Sequence, residues 1–184
     1  MDAAALTSRF PATQDLAGKD MPTFRVAGSD LLAVVRTLRD EQGFDLLADL
    51  CGLEWKDRPV RFGVVIHLLS TTHKEYVRLH VDAVNDRVPS VSSLHPGANW
   101  HEREAYDMMG VRFANHPDLR RILLWEGFPH FPLRKEYPLA GLPTELPEVA
   151  FTRPAPMADG PFVTSAGGKD AIAREPRARP QRAE

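Results

Sequence analysis

Residues Phe62–Ala83, FGVVIHLLSTTHKEYVRLHVDA, decide the fold. Phe62, Val64, Ile66 and Leu68 fall on alternate positions. So do Val77, Leu79, Val81 and Ala83, with Arg78, His80 and Asp82 between them. This is the period of strands with one buried face. STTHK at 70–74 reads as the turn joining the two strands, and KDRP at 56–59 as the turn before the first. Working upstream, Phe24–Val26 reads as a short strand and Ser29 or Asp30 as a helix N-cap. Leu31, Leu32, Val34, Val35 and Leu38 then recur at helical spacing opposite Arg36, Arg39, Asp40 and Glu41, and the helix stops at Gly43. Phe44–Cys51, FDLLADLC, fits a second short helix or a strand. The pattern predicts an α+β fold, an antiparallel or mixed sheet with helices packed on one face.

Downstream, Val91–Leu94 is expected as another strand and HPGAN at 95–99 as a turn. Asn99 is expected to cap a helix over Trp100–Met109, with Gly110 as its left-handed stop. Beyond Val111–Phe113 the prolines Pro117, Pro129, Pro132 and Pro138 predict an extended C-terminal arm with one helical turn over Pro117–Leu123. Eight of the sixteen prolines lie from Pro138 onward, and the final segment has too little apolar surface to offset the entropy of ordering. The expected divisions are a loosely ordered lead-in at 1–22, an α+β core at 23–113, an extended interaction arm at 114–150 and a flexible Pro/Ala/Arg-rich tail at 151–184.

The formal net charge of -2 gives no basic field for nucleic acid. Cys51 is the lone cysteine, which excludes an internal disulfide and a cluster or zinc held by cysteines of this chain alone. It reads as a small buried hydrophobe. The longest apolar run, Val64–Leu69, is interrupted by His67 and too short to span a bilayer, so a membrane would be reached through a partner. Gly167-Gly168-Lys169 lacks phosphate-loop spacing, and no GxGxxG is present. Trp55, Trp100 and Trp125 read as packing anchors, and His67 and His80 as outward or core-edge positions on strands.

Chemistry concentrates between Trp100 and Leu139. His101, Glu104, Asp107 and His116 would be the ligands and bases of a metal-dependent enzyme, although their spacing is not HExxH. The plainer reading is charge pairing. Glu102, Arg103, Glu104, Asp107, Asp118, Arg120 and Arg121 come in nearly matched numbers, able to cancel one another or a partner's charges.

Two stretches, NWHEREAYDMMGVRFANHPDLRRIL at 99–123 and PLRKEYPL at 132–139, closely resemble the signature of the 30 kDa subunit family, the C subunits of proton-pumping NADH:quinone oxidoreductase, respiratory complex I. FDLLADLCGLEW, VRFGVVIHLLS and VPSVSSLHPGAN resemble earlier segments of that family in the same order, so the likeness runs over roughly residues 24–142. The resemblance implies a stand-alone structural subunit of the hydrophilic arm, beside the B and D subunits. It implies a peripheral place on the cytoplasmic face of the membrane and no catalytic, metal or cofactor-binding residue in this chain. The complex itself uses FMN, iron–sulfur clusters, NADH and a quinone, ubiquinone or menaquinone, and translocates protons. By the same resemblance the contacts with neighbouring subunits would involve Trp100, Glu102, Arg103, Glu104, Asp107 and Gly110 on and after the helix. They would continue through His116, Pro117, Asp118, Leu119, Arg120 and Arg121, then Pro132, Leu133, Arg134, Lys135, Tyr137 and Pro138. Glu54 and Glu136 stand where the family usually has Asp, Ile66 where an aromatic is common, Met109 where Phe or Tyr is common, and Asn115 where Gly is common. Asn tolerates the left-handed backbone that such a Gly serves. The same module belongs to related membrane-bound hydrogenases and ferredoxin- or F420-linked complexes, which is the alternative reading.

Overall fold

The computed structural model describes residues 2–125 and 127–138; the expectations for 139–150 and for the tail lie outside them. In chain order the elements are α1 (Ala3–Arg9), β1 (Gln14–Asp15), β2 (Thr23–Val26), α2 (Leu31–Asp40), β3 (Leu46–Glu54), β4 (Phe62–Ser70), β5 (Glu75–Asp82), β6 (Arg87–Pro89), α3 (Ala98–Met109) and β7 (Arg112–Ala114).

The alternation at 62–83 produces the antiparallel pair β4–β5, with Ile66 opposite Leu79 and Val64 opposite Val81. Within Phe44–Cys51 the residues from Leu46 onward resolve as strand, because β3 pairs antiparallel with β4 and sets Leu50 against Ile66. A register shift between Leu47 and Asp49 hides the simple alternation of β3 from the sequence. The sheet order is β1-β2-β5-β4-β3, mixed because β2 runs parallel to β5. Phe24, Val26, Leu50, Val64, Ile66, Leu68, Leu79 and Val81 form one apolar face. It joins Val34, Val35 and Leu38 of α2 and Ala98, Ala105 and Met109 of α3 in one core. The α+β class with helices on one face therefore follows from where the apolar side chains fall. The opposite face is polar and partly exposed: Arg78 donates to Asp20 at 2.9 Å and to His67 at 2.8 Å.

Several local expectations are corrected. Residues 1–22 contain α1 and β1. Asp2 accepts the Ala5 N–H at 2.9 Å, Leu6 is buried, and Arg9 pairs with Glu41 of the α2 C-cap at 2.6 Å. Ala3 and Phe10 also pack on the core and the Asp2 N–H donates to Gln42 at 3.2 Å, an anchorage too irregular to read as a period. Asp30 does stand at the N-cap of α2, but its side chain makes no capping bond. Helix α3 begins at Ala98 after Gly97, also without a side-chain cap, so Asn99 lies inside the helix. Val91–Leu94 is a turn, with Leu94 N–H donating to Val91 O at 2.9 Å. The strand lies earlier, at β6, which pairs parallel with β7 in a second sheet of two strands. No helical turn forms at Pro117–Leu123; turns and bends alone follow β7 among the described residues. Cys51 is exposed on the edge strand, and Trp100 is 62% exposed.

Gly63 is held without a side chain for a packing reason. A Cβ there would come within 2.6 Å of both the Trp55 ring and the Val81 carbonyl oxygen. Ring and backbone together have little room to yield. Gly63→Ala is expected to lower stability by about 1–3 kcal/mol in urea denaturation. At Gly28 a Cβ would meet only Pro89 Cδ, at 3.6 Å. Gly28→Ala should stay within about 0.5 kcal/mol.

Candidate functional site

Helix α3 carries two of its three acids inward and leaves Glu104 exposed. Glu102 and Asp107 are each 0% exposed, on different sides of the helix, and Arg103 is buried between them and the following loop. Asp107 is the more heavily used. Its Oδ2 accepts three successive backbone N–H groups, from Ile122 at 2.9 Å, Leu123 at 2.7 Å and Leu124 at 2.9 Å. Its Oδ1 accepts Arg121 Nη1–H at 2.6 Å. Arg121 donates onward to the Phe128 carbonyl at 2.7 Å and the His130 carbonyl at 3.1 Å, and its guanidinium lies over the Phe128 and Phe131 rings. Arg103 donates to the carbonyls of Arg120 and Arg121, both at 3.2 Å. Burial alone would raise the Asp107 pKa. The backbone donors and Arg121 outweigh it and hold the carboxyl below its usual range.

Glu102 braces the other side. Its Oε1 accepts the Val91 N–H at 2.7 Å and its Oε2 accepts the Ser90 hydroxyl at 2.6 Å. The buried His116 places Nε2 at 3.8 Å from Glu102 Oε2 and 3.3 Å from the Asn99 carbonyl. His116 Nδ1 accepts the Asp118 N–H at 3.0 Å, which leaves Nε2 as the protonated nitrogen facing that carbonyl. Burial pushes Glu102 up to about 7, against the two hydrogen bonds that lower it.

A third set of contacts fastens the end of the arm. Glu54, with its side chain 2% exposed, accepts from Arg61 Nε at 2.8 Å and from the Lys135 N–H at 2.7 Å. Arg61 also reaches Glu136 at 2.6 Å. Glu54 and Glu136 thus share one arginine. Arg134 lies between the Phe62 and Phe131 rings and donates Nε–H to the Met109 carbonyl at 2.8 Å. Gly110 is left-handed at φ 78°, and a Cβ there would meet Arg134 Nη2 at 2.5 Å. Asn115, at φ 64°, occupies the left-handed region that its side chain tolerates.

Of the residues singled out in the sequence, Glu102, Arg103, Asp107, Gly110, His116, Arg121 and Arg134 converge as internal braces. Trp100, Glu104, Pro117, Asp118, Arg120, Leu133, Lys135 and Pro138 are exposed, with Asp118 and Arg120 paired at 2.9 Å. Leu119, Pro132 and Tyr137 are half-buried. The bracing roles of Ser90 and Arg61 carry no local sequence signal, since each depends on a partner across the fold. The four residues of the metal-enzyme reading do not meet. His101 faces Asp49 at 3.5 Å, Glu104 is exposed, Asp107 lies under the arm, and His116 lies against Glu102. Among the described residues no three of His, Cys, Asp and Glu gather as a metal site.

The two acids impose opposite pH dependences. Folded Asp107 titrates below an unfolded aspartate, so its contribution is full above the unfolded value and is lost as pH falls through the folded one. Folded Glu102 holds its proton from the ordinary 4.5 up to about 7, so its contribution is full below 4.5 and lost as pH rises through about 7. Glu102→Gln should remove a stability decline of about 2.5 kcal/mol between pH 5 and 8, read as a flatter melting-temperature profile. Asp107→Asn should cost about 3 kcal/mol at pH 7. Its amide exchange should rise at 119–134 before it rises in β4 and β5.

Comparison with known proteins agrees with this architecture. Residues 24–143 match the family described as respiratory-chain NADH dehydrogenase, 30 Kd subunit. The chain is 48% identical over 122 residues to the C subunit of the NADH-quinone oxidoreductase of Sinorhizobium medicae, a match covering 65% of this chain and 61% of that protein. It is 52% identical over 105 residues to the corresponding protein of Phenylobacterium zucineum, covering 56% of this chain and 50% of that one. The chain thus spans between half and two thirds of the length of these curated relatives. Among solved structures, a trypsin-resistant fragment of Nqo5 superposes with a TM-score of 0.56 at 28% identity, covering 65% of this chain and all of the fragment. A chain of the membrane-bound sulfane sulfur reductase, an archaeal respiratory membrane complex, shares the fold with a TM-score of 0.63 at 19% identity, over 74% of this chain and 83% of that chain. The family match covers well over half of the sequence, and the chain belongs to the 30 Kd subunit family of respiratory-chain NADH dehydrogenases.

Proposed function

We propose that this chain is a structural subunit of the peripheral arm of a proton-translocating NADH:quinone oxidoreductase and contributes by position. In this reading FMN, iron–sulfur centres and quinone belong to partner subunits, electrons pass through those partners, and no residue of this chain takes part in bond making. Electron transfer and quinone access both depend on fixed separations, which a rigid frame supplies. The neighbours would be subunits of the B and D type, and membrane attachment would come through them. Among the described residues no helix is long and apolar enough to cross a membrane.

The observation that carries this reading is the division of labour in the α3–arm region. Its acids and arginines are largely engaged inside the chain, while large apolar side chains point outward. Trp100, Leu123 and Leu133 are 62%, 63% and 60% exposed, and exposed Arg120 and Lys135 belong to the same two arm stretches. Apolar groups with arginine among them have the composition of a protein contact. Their backbone is fixed beforehand: Leu123 N–H is held by Asp107, and Leu133 N–H donates to the Met108 carbonyl at 3.1 Å. Residues 114–138 therefore serve as a contact element set on the core at 23–113.

The tagged chain should recover flavin- and cluster-bearing partners from native membranes in mild detergent, with NADH-to-quinone turnover in the eluate. The pair Trp100→Ala, Leu133→Asp should leave urea stability within about 0.5 kcal/mol, as expected of surface substitutions, and lose at least tenfold of the partners recovered. Recovery with hydrogenase- or ferredoxin-linked partners would move the chain to a related complex. Recovery alone with stoichiometric bound metal would overturn the positional reading.

A further inference from the structure

A cavity of about 480 Å³ lies beyond the end of α3, between the β6–β7 sheet and the Phe131–Arg134 turn. Arg87, Arg112 and Arg134 line it, with Asp86 as its acid. Arg87 and Arg112 stand directly opposite each other in the parallel β6–β7 register, and both are exposed. Like charges at opposed positions destabilise a strand pair. Neither arginine forms an ion pair with another described residue. Arg134 at the back is fixed by the Phe62 and Phe131 rings and by the Met109 carbonyl. Arg134 also has Glu136 at 3.8 Å, so Arg87 and Arg112 against Asp86 are what leave the cavity cationic.

The kind of anion can be narrowed. Phosphate sites usually draw on free backbone N–H groups, at helix N-termini or in concave loops. Here the N–H groups of six of the eight lining residues, Val84, Asp86, Arg87, Gly110, Arg112 and Arg134, are engaged by carbonyls of the chain. The nearby helix end is the C-terminal one, whose partial charge disfavours a multiply charged anion. With most lining amides engaged, recognition rests chiefly on side chains, and paired guanidinium groups match the two oxygens of a carboxylate. Val84, 61% exposed, lines the same cavity and offers apolar contact to a polypeptide. Arginine beside an exposed aliphatic group is protein-interface chemistry.

We propose that this cavity seats an Asp or Glu side chain of a neighbouring subunit, gripped by Arg87 and Arg112, as a contact separate from the Trp100–Leu133 surface. The contact rests on the assembly reading above. Binding brings the carboxylate between two mutually repelling cations and relieves their repulsion.

The test uses the assembled complex isolated with Arg87→Lys or Arg112→Lys and treated with a water-soluble carbodiimide, which joins an amine to a carboxylate in direct contact. The expected result is an amide cross-link, located by mass spectrometry, between the introduced lysine and an acidic residue of one neighbouring protein of the complex. The wild-type complex should lack it, because guanidinium does not react in this way. Complex carrying Arg87→Ala with Arg112→Ala should release this chain at a salt concentration at least twofold lower than wild type. An assembled complex whose introduced lysines join only to carboxylates of their own chain, or to none, would overturn the proposal. So would a phosphate-bearing molecule that copurifies with wild type and is lost from the alanine pair, since the cavity would then belong to a free anion. Failure of the wild-type chain to recover any partner would instead remove the assembly reading itself.

Discussion

One buried carboxylate gives the arm its shape. A segment without helix or ladder cannot satisfy its own backbone, and buried N–H and C=O groups require partners. Asp107 accepts three consecutive amides from the arm, and its counter-ion Arg121 donates to two carbonyls further along. A single ion pair thereby takes over much of what a strand partner would do, from Ile122 to His130. The arrangement is costly to break, because removing either partner leaves the other buried and unpaired. The exposed groups of the arm keep their places for that reason.

Helix α3 also shows how two buried acids a turn and a half apart reach opposite states. Asp107 has three amides and an arginine, enough to favour its charged form against burial. Glu102 has one amide, one hydroxyl and no cation within hydrogen-bonding distance, and burial prevails. Neither side chain reaches solvent, but Glu102 lies deeper, so heavier burial and fewer donors together decide the outcome. Glu102 thus ties β6 to α3 as a group that is neutral through mild acid, while Asp107 remains an anion there.

Much of the sheet was legible because its residues report their surroundings locally. Alternation at 62–83 follows directly from one buried and one polar face, and Gly110 and Asn115 announce left-handed turns by residue type. The class of fold follows from those signals. Other features were hidden for definite reasons. A register shift breaks the period of β3, and α1 is secured by contacts too irregular to form a pattern. Val91–Leu94 is apolar enough for a strand, yet Val91 N–H goes to Glu102 across the fold. The candidate site was legible as a concentration of charge, and its division into inner and outer groups was not. Helical spacing places Glu102 and Glu104 two residues apart, but only their tertiary surroundings make the first an internal brace and the second a solvated surface group.

That division changes what a charged signature means. Read as a string, Glu102, Arg103, Asp107 and Arg121 look like groups waiting for a partner; in the fold each already has one within the chain. On the proposed reading their effect on assembly is indirect. Association costs ordering of whatever remains loose at the interface, so a loop fixed before encounter binds with less loss than one ordered by its partner. Internal ion pairs bear that ordering cost during folding. In the proposed assembly, the groups left for recognition among the described residues are apolar side chains on the fixed arm and the arginines Arg87 and Arg112, which form no ion pair there. The positional role proposed above needs this combination, because partners would have to find the same geometry each time they dock.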